Sequence, residues 1–498
     1  MPDDGSFDAG HDLGWQAARS GAVQVGSQVI MLGMFVASGM VLARLLTPAD
    51  FGIMAMAGTL TALVSTVRGF GFSMAAIQAD TVDEVRLQQL FDRSRWYAWR
   101  LAVGMLVAAP VLAFLYREPM LLVILALLTG TAVMASLSDL PEALVMRSMR
   151  FVALRRLEVA STALGMAAGL IAAWLGAGYW ALVLQSASTS VARAFGAWRM
   201  VSWRPVLRRS SDSPVNSGTR DAMRFARQYV ATNLVTYAAQ NLDRVTIGVA
   251  AGPHAMGMYD NAYRWGLYPV HQLYPPLLNI AVAGLSRTRD DAELYRRYWS
   301  TAMLLVLSVM LPAVAFLGVE SEAFILSLLG PAWVEAIPVF RLVMVGAMAI
   351  ALTRHSRWIF LSEGRTREQL RLSVMHLASM AVAVAVGVRW GVLGVAAGFA
   401  ASRWLMLGPE LAMAFAGSRI RWRDFLTVAW RPLAAAAGAT TILVAGSAQL
   451  PDGPFLRLVV AATAFGLIYT AMWIALPGGS HAARQLAALA RRVRQAPA

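Results

Sequence analysis

The sequence predicts an all-α polytopic membrane protein of about fourteen transmembrane helices. Three observations carry this. The chain is 58% hydrophobic and 14% charged, with a mean hydropathy of +0.56. Apolar runs of about 20 residues recur along it. Arginine-rich and arginine-poor loops alternate between those runs. Soluble domains hold roughly 45–50% apolar and about 25% charged residues, so this composition departs from them in both directions.

In order, the runs fall near 22–43, 48–67, 96–115, 120–139, 157–175, 178–199, 225–249, 255–279, 298–318, 337–353, 370–388, 391–410, 427–449 and 455–476. The first follows "MPDDGSFDAGHDLGW", an acidic, polar lead unlike a signal peptide's basic n-region. The first run is therefore expected to stay as an anchor. The second opens on "TPAD": Thr47 can cap a helix whose first residue is Pro48, with Asp50 completing a capping box. The seventh and eighth runs are the least apolar, because they hold Asn241, Asp243, Arg244, Asp260, Asn261 and Arg264.

Orientation follows from the arginines, which are all of the 43 basic residues. With the N-terminus in the cytoplasm, thirty-five of the 43 fall in inner segments. Arg44, Arg117, Arg389 and Arg457 fall outside, and Arg244, Arg264, Arg341 and Arg403 lie within spans. Cytoplasmic loops are the ones enriched in basic residues, and a miscounted span would scramble the alternation. Both termini are thus expected on the cytoplasmic side of the membrane. The basic tail "HAARQLAALARRVRQ" reads equally as an amphipathic helix on the anionic leaflet or as an unstructured basic end.

Composition also excludes chemistry. Without lysine there is no GK[ST] phosphate loop and no Schiff base. Without cysteine there is no thiol nucleophile, disulfide or cysteine metal site. The six histidines are scattered, without H-E-x-x-H spacing. No catalytic residue, metal or cofactor is expected. The net charge of +15 would suit nucleic acid, but the arginines sit in short loops between spans, so no nucleic-acid partner is expected.

An internal repeat is visible. "LLTPADFGIMAMA" (45–57) aligns with "AAGPHAMGMYDNA" (250–262), placing Pro48 on Pro253 and Gly52 on Gly257. Both segments join the first two helices of a six-helix set at the outer face. The expected layout is an N-terminal lobe (1–200, spans one to six), a cytoplasmic linker (201–224), a C-terminal lobe (225–412, spans seven to twelve), and 413–498 with two further spans and the tail. Lobes that both start inside are parallel repeats. Such lobes enclose a central cavity and rock around it to alternate access. Gly165 with Gly169, and Gly394 with Gly398, would permit close helix packing.

"ARLLTPADFGIMAMA" followed by "GFGFSMAAIQ" (69–78) resembles the start of polysaccharide-export proteins of the multidrug/oligosaccharidyl-lipid/polysaccharide exporter superfamily. "NLDRVTIGVAAGPHAMGMYDNAYRWGLYP" (241–269) is similar to the seventh and eighth helices of that family, and "LSR" (285–287) to its next inner boundary. Ala283 and Asp260 depart from it, where proline and a small polar residue are usual. The resemblance implies a flippase that moves an undecaprenyl-diphosphate-linked oligosaccharide to the outer leaflet for O-antigen, capsule or exopolysaccharide export. Its partners would be that lipid-linked oligosaccharide, membrane lipids and, as an open matter, other polysaccharide-assembly proteins.

Arginine at the centre of a span costs about 2.5–3.5 kcal/mol on the insertion scale, so it usually faces a cavity or a partner. Arg244, Asn241, Arg264, Arg341, Arg403 and Asn261 are therefore the candidate substrate ligands. For Arg244 the competing reading is a packing pair with Asp243. Arg264 follows Asp260 by four residues, a spacing that suits an intrahelical pair. Arg341 and Arg403 lie near loops and could snorkel. Asp243, Asp260, Arg44, Asp50, Pro48 and Pro253 are the structural or gating candidates. Two alternatives stand beside the flippase: a cation-coupled small-molecule exporter of the same superfamily, and a membrane-embedded polysaccharide polymerase. A polymerase would want a large outer loop, and the outer loops here are short apart from 318–337.

Overall fold

Gly252 interrupts a 70-residue helix, Gly218–Arg287, with φ 78° and ψ −174°. A side chain would clash in that conformation, so glycine is needed where the chain reverses, and Pro253 then starts the returning helix. The computed structural model describes residues 8–68, 84–205 and 218–479. Among them every regular element is helical. The motif at 69–78, most of the polar linker and the basic tail lie outside the described residues.

The helices are α1 (Asp8–Leu45), α2 (Pro48–Arg68), α3 (Glu84–Tyr116), α4 (Met120–Arg147), α5 (Phe151–Trp174), α6 (Trp180–Arg199) and α7 (Gly218–Arg287). We write α7a for 218–251 and α7b for 253–287. There follow α8 (Ala292–Val319), the short α9 (Ser321–Leu328), α10 (Ala336–Thr353), the short α11 (Ser356–Ser362), α12 (Thr366–Gly387), α13 (Gly391–Phe415), α14 (Trp422–Ala445) and α15 (Pro454–Ala475). With α7 counted as two, each of the fourteen expected spans has its helix. Helices α9 and α11 were not foreseen.

Ten stretches among the described residues are long and apolar enough to cross a membrane on composition alone, one of them running through both α12 and α13. Helices α6 and α7 are not among the ten. The low hydropathy of α7 was expected. That of α6 comes from its "QSASTS" run and Arg193. Several helices outrun their apolar cores. Helix α3 begins at Glu84, well before residue 96, because Leu87 and Phe91 lie one turn apart and pack with Leu140 and Ala143 of α4. Trp198 and Trp203 close that cluster.

The described helices gather into two compact units, one running through Tyr237 and the other starting at Ala238. In the first, α1 packs on α5, α5 on α6, α6 on α4 and α4 on α3, with α2 against α3, α4 and α6. A Cβ on Gly165 would lie 1.8 Å from the Thr189 hydroxyl oxygen, so the α5–α6 approach depends on that glycine. In the second unit, α8 packs on α10, α10 on α13 and α12 on α13, while α14 lies against α8 and α15. The contacts α3–α4, α4–α6 and α5–α6 thus recur at the matching spans of the second unit, the pattern that a repeated six-helix set would give.

Large apolar side chains point outward, with Phe114 86% and Trp174 77% exposed. These faces meet lipid in a chain of this composition. Tryptophan also enters the core: Trp299, Trp333 and Trp358 are fully buried.

Candidate functional site

Helices α7a and α7b fold back on each other at Gly252, which sets their polar residues in register. Arg244 and Asp260 each stand eight residues from that glycine, roughly 12 Å along their helices at 1.5 Å per residue. The Arg244 Nε lies 3.0 Å from Asp260 Oδ1, an ion pair whose angle misses a well-aligned hydrogen bond. Arg244 Nη1 donates to Asn241 Oδ1 at 3.0 Å, and the guanidinium lies 4.4 Å from the Tyr263 ring centre.

Asp243 makes a second connection across the hairpin. Its carboxylate is 1% exposed and accepts the Tyr259 hydroxyl at 2.5 Å and the Arg244 backbone N–H at 2.9 Å. The acid and the base in "LDRV" therefore answer to different partners, because neighbours on a helix point about 100° apart. The Asp260 carboxylate meets Arg244, where sequence spacing had pointed to Arg264. Arg264 donates to Asn261 Oδ1 at 3.1 Å, and the buried Asn261 donates to the Gly257 carbonyl at 3.2 Å. Helical spacing admits an i,i+4 pair, but the hairpin offers Asp260 a cation on the facing helix.

Arg403 reaches the same neighbourhood through aromatic rings. The Tyr263 and Phe399 ring centres are 5.5 Å apart, and the Arg403 guanidinium lies 5.3 Å from that of Phe399. Arg244 and Arg403 thus stack on the two rings of one aromatic pair. Arg403 Nη1 sits 3.4 Å from His376 Nδ1. Its buried Nε has no hydrogen-bond partner among the described residues.

Beyond Arg403 lies a polar chain absent from the candidates read from sequence. His376 Nε2 is 3.0 Å from Glu410 Oε2, and the Ser356 hydroxyl donates to Glu410 Oε1. The available signal was two ionisable residues, His376 and Glu410, within or at the edge of apolar runs.

The other candidates lie elsewhere. Arg341, 53% exposed at its side chain, donates to the Ser321 hydroxyl at 2.8 Å and lies 3.8 Å from Glu322. It thus fastens α10 to α9. Asp50 accepts from the Thr47 backbone N–H and hydroxyl at 2.9 and 2.7 Å, completing the capping box. Its other oxygen takes the Tyr179 N–H at 3.0 Å, a tie from α2 to the start of α6 that the sequence did not show. Pro48 is buried at the first turn of α2, Pro253 is partly buried at the first turn of α7b, and Arg44 is exposed in the last turn of α1. Among the described residues no three His, Asp or Glu side chains converge as a metal site would need.

A family model described as polysaccharide biosynthesis protein matches residues 41–338. The teichuronic acid biosynthesis protein TuaB of Bacillus subtilis (strain 168) is 22% identical over 311 residues, 61% of this chain and 62% of that protein. The lipopolysaccharide biosynthesis protein WzxC of Escherichia coli (strain K12) is 21% identical over 419 residues, 81% of this chain and 82% of WzxC. The succinoglycan biosynthesis transport protein ExoT of Rhizobium meliloti (strain 1021) is 24% identical and is covered over 60% of its length, by 61% of this chain. The chain thus spans less than two thirds of TuaB and ExoT. Among solved structures, the lipid II flippase MurJ in an inward closed conformation matches with a TM-score of 0.70 at 10% identity, over 91% of this chain and 98% of that one. An inward-facing multidrug resistance MATE family transporter matches at 0.60 and 14% identity, over 82% and 95%. At these identities the likeness is one of fold.

Proposed function

Since the chain belongs to the polysaccharide biosynthesis protein family, whose model covers more than half of it, we propose that it flips a lipid-linked oligosaccharide. The movement is from the cytoplasmic to the outer leaflet of the inner membrane, by alternating access. The substrate would be an oligosaccharide on undecaprenyl diphosphate destined for polysaccharide export. The chain acts as a transporter and not as an enzyme, with both termini in the cytoplasm. The lipid-linked oligosaccharide and the surrounding lipids are its partners, and polysaccharide-assembly proteins are candidates for more.

One observation carries the reading: Arg244 and Arg403 stack on one aromatic pair inside the second unit's spans. A diphosphate leaving the inner leaflet must exchange hydration for fixed donors, which the guanidinium fork supplies. Arg244 is shared with Asp260 and Asn241, so a diphosphate would have to compete there, which keeps its affinity moderate. Arg403, whose contacts are the His376 ring and the Phe399 ring, makes no salt bridge among the described residues and is the stronger ligand candidate of the two.

The fold likeness to a MATE transporter keeps the small-molecule exporter as the second reading. Reconstituted vesicles separate the two. Transbilayer movement of a labelled prenyl-diphosphate oligosaccharide, lost in Arg403→Ala at equal folded protein, supports the flippase. Movement of small cations with no movement of the lipid would overturn it.

A further inference from the structure

We propose that His376 is a proton-operated latch on Arg403, holding the guanidinium while neutral and releasing it to an anionic diphosphate when protonated. The inference rests on the reading of Arg403 as a diphosphate ligand.

Arginine has donors and no acceptor. The 3.4 Å contact between Arg403 Nη1 and His376 Nδ1 therefore requires an unprotonated Nδ1, and the ring's single proton sits on Nε2. That N–H points at Glu410 Oε2, 3.0 Å away, while Oε1 of the same carboxylate takes the Ser356 hydroxyl. The hydrogen bonds run one way, from Arg403 to His376 to Glu410, with Ser356 fixing the carboxylate from the far side.

A proton on Nδ1 reverses the first link. Two donors and two cations then face each other across that contact, while the bond from Nε2–H to Glu410 gains charge assistance and keeps the ring in place. The guanidinium is the part able to move, and what still holds it is the Phe399 ring and the electrostatic pull of the Asp243 carboxylate. An anion that draws Arg403 away makes protonation of His376 easier by the same factor that protonation favours the anion. Histidine is the side chain whose charge changes between about pH 5 and 8.

The groups around the ring are few. From α13 come Arg403 and Glu410, and from α11 comes Ser356 by way of Glu410. The remaining charged residues of the elements packed on α12, Arg357 and Arg389, are exposed, as are Arg367 and Arg371 on α12 itself. Glu368 lies in the first turn of α12, 3.6 Å from Arg365.

The test is binding of inorganic pyrophosphate to the full chain in nanodiscs at about pH 8 and about pH 6. Each variant is compared with wild type at the same pH, so that titration of the probe cancels. Wild type should bind roughly fivefold or more tightly at the lower pH, relative to His376→Gln. The Gln amide can accept from Arg403 and donate to Glu410 at either pH, so that variant should stay at the latched, weaker level. His376→Leu cannot accept, and should bind at the released, tighter level at both. Opposite displacements by the two variants are the signature, since damaged packing would move both the same way. If both variants keep the wild-type pH response, the latch is overturned. Pyrophosphate binding that survives Arg403→Ala unchanged also overturns it while leaving a diphosphate site elsewhere. No binding by wild type at either pH removes the diphosphate reading itself. Farnesyl diphosphate run in parallel distinguishes a lipid headgroup from a free anion, by binding well below the pyrophosphate concentration in the first case.

Discussion

Tyr259 and Asp243 share a 2.5 Å hydrogen bond across the α7 hairpin, with both side chains buried at 1% exposure or less. Asp243 stands nine residues before Gly252 and Tyr259 seven after it, so the bond lies level with the Arg244–Asp260 pair, whose members each stand eight residues from the turn. The hairpin is held by these two polar contacts.

Tyr259→Phe and Asp243→Asn should be strongly non-additive. Each removes the same charge-assisted bond, so the coupling energy from a double-mutant cycle of thermal or denaturant unfolding should reach about 1–3 kcal/mol. Asp243→Ala should cut folded abundance, because it leaves the tyrosine hydroxyl and the Arg244 amide short of an acceptor. Additive single effects would place the two residues in separate environments.

Arg244→Ala should also lower stability, since it strands Asp260 among buried groups, and Asp260→Asn should be milder than Asp260→Ala. Exchanging the charges, Arg244→Asp with Asp260→Arg, should recover part of the folded protein measured by fluorescence-detected gel filtration. No recovery would mean that the pair's surroundings, and not its charge, decide the cost.

For transport, Arg403→Ala should reduce glycan export at least about tenfold when normalised to folded protein, which corresponds to about 1.4 kcal/mol. Arg403→Lys should fall between, because it keeps the charge and loses the fork. Full export by Arg403→Ala would make this arginine a packing residue.

Asp50 serves two elements with two oxygens. Asp50→Asn has one carbonyl oxygen and can keep one role, so it should cost roughly half of what Asp50→Ala costs, itself about 1–2 kcal/mol for a lost cap. Thermal melting of the purified variants gives the ranking.

Reporter fusions at Ser210 and Ser362 should read cytoplasmic, and a fusion at Glu322 should read external, as the distribution of arginines requires. A cytoplasmic signal at Glu322 would break the fourteen-span assignment.

The sequence by itself determined the class of protein, the fourteen helical runs and the Thr47–Asp50 cap. These follow from quantities that act residue by residue or within one turn: transfer of side chains into hydrocarbon, and hydrogen bonds between positions three apart. The run at 178–199 was read from its apolar length, and the alternation of arginines agrees with a crossing there. The tertiary structure decided which polar groups meet. Asp260 pairs with Arg244, Asp243 with Tyr259, and Arg403 with the His376–Glu410–Ser356 chain. Each partnership joins different helices or the two halves of α7. It depends on where Gly252 turns the chain and on how α11, α12 and α13 are rotated about their axes. Spacing along one strand of sequence lists the residues that share a helix face, and it carries no information on which face of a second helix comes to lie against them.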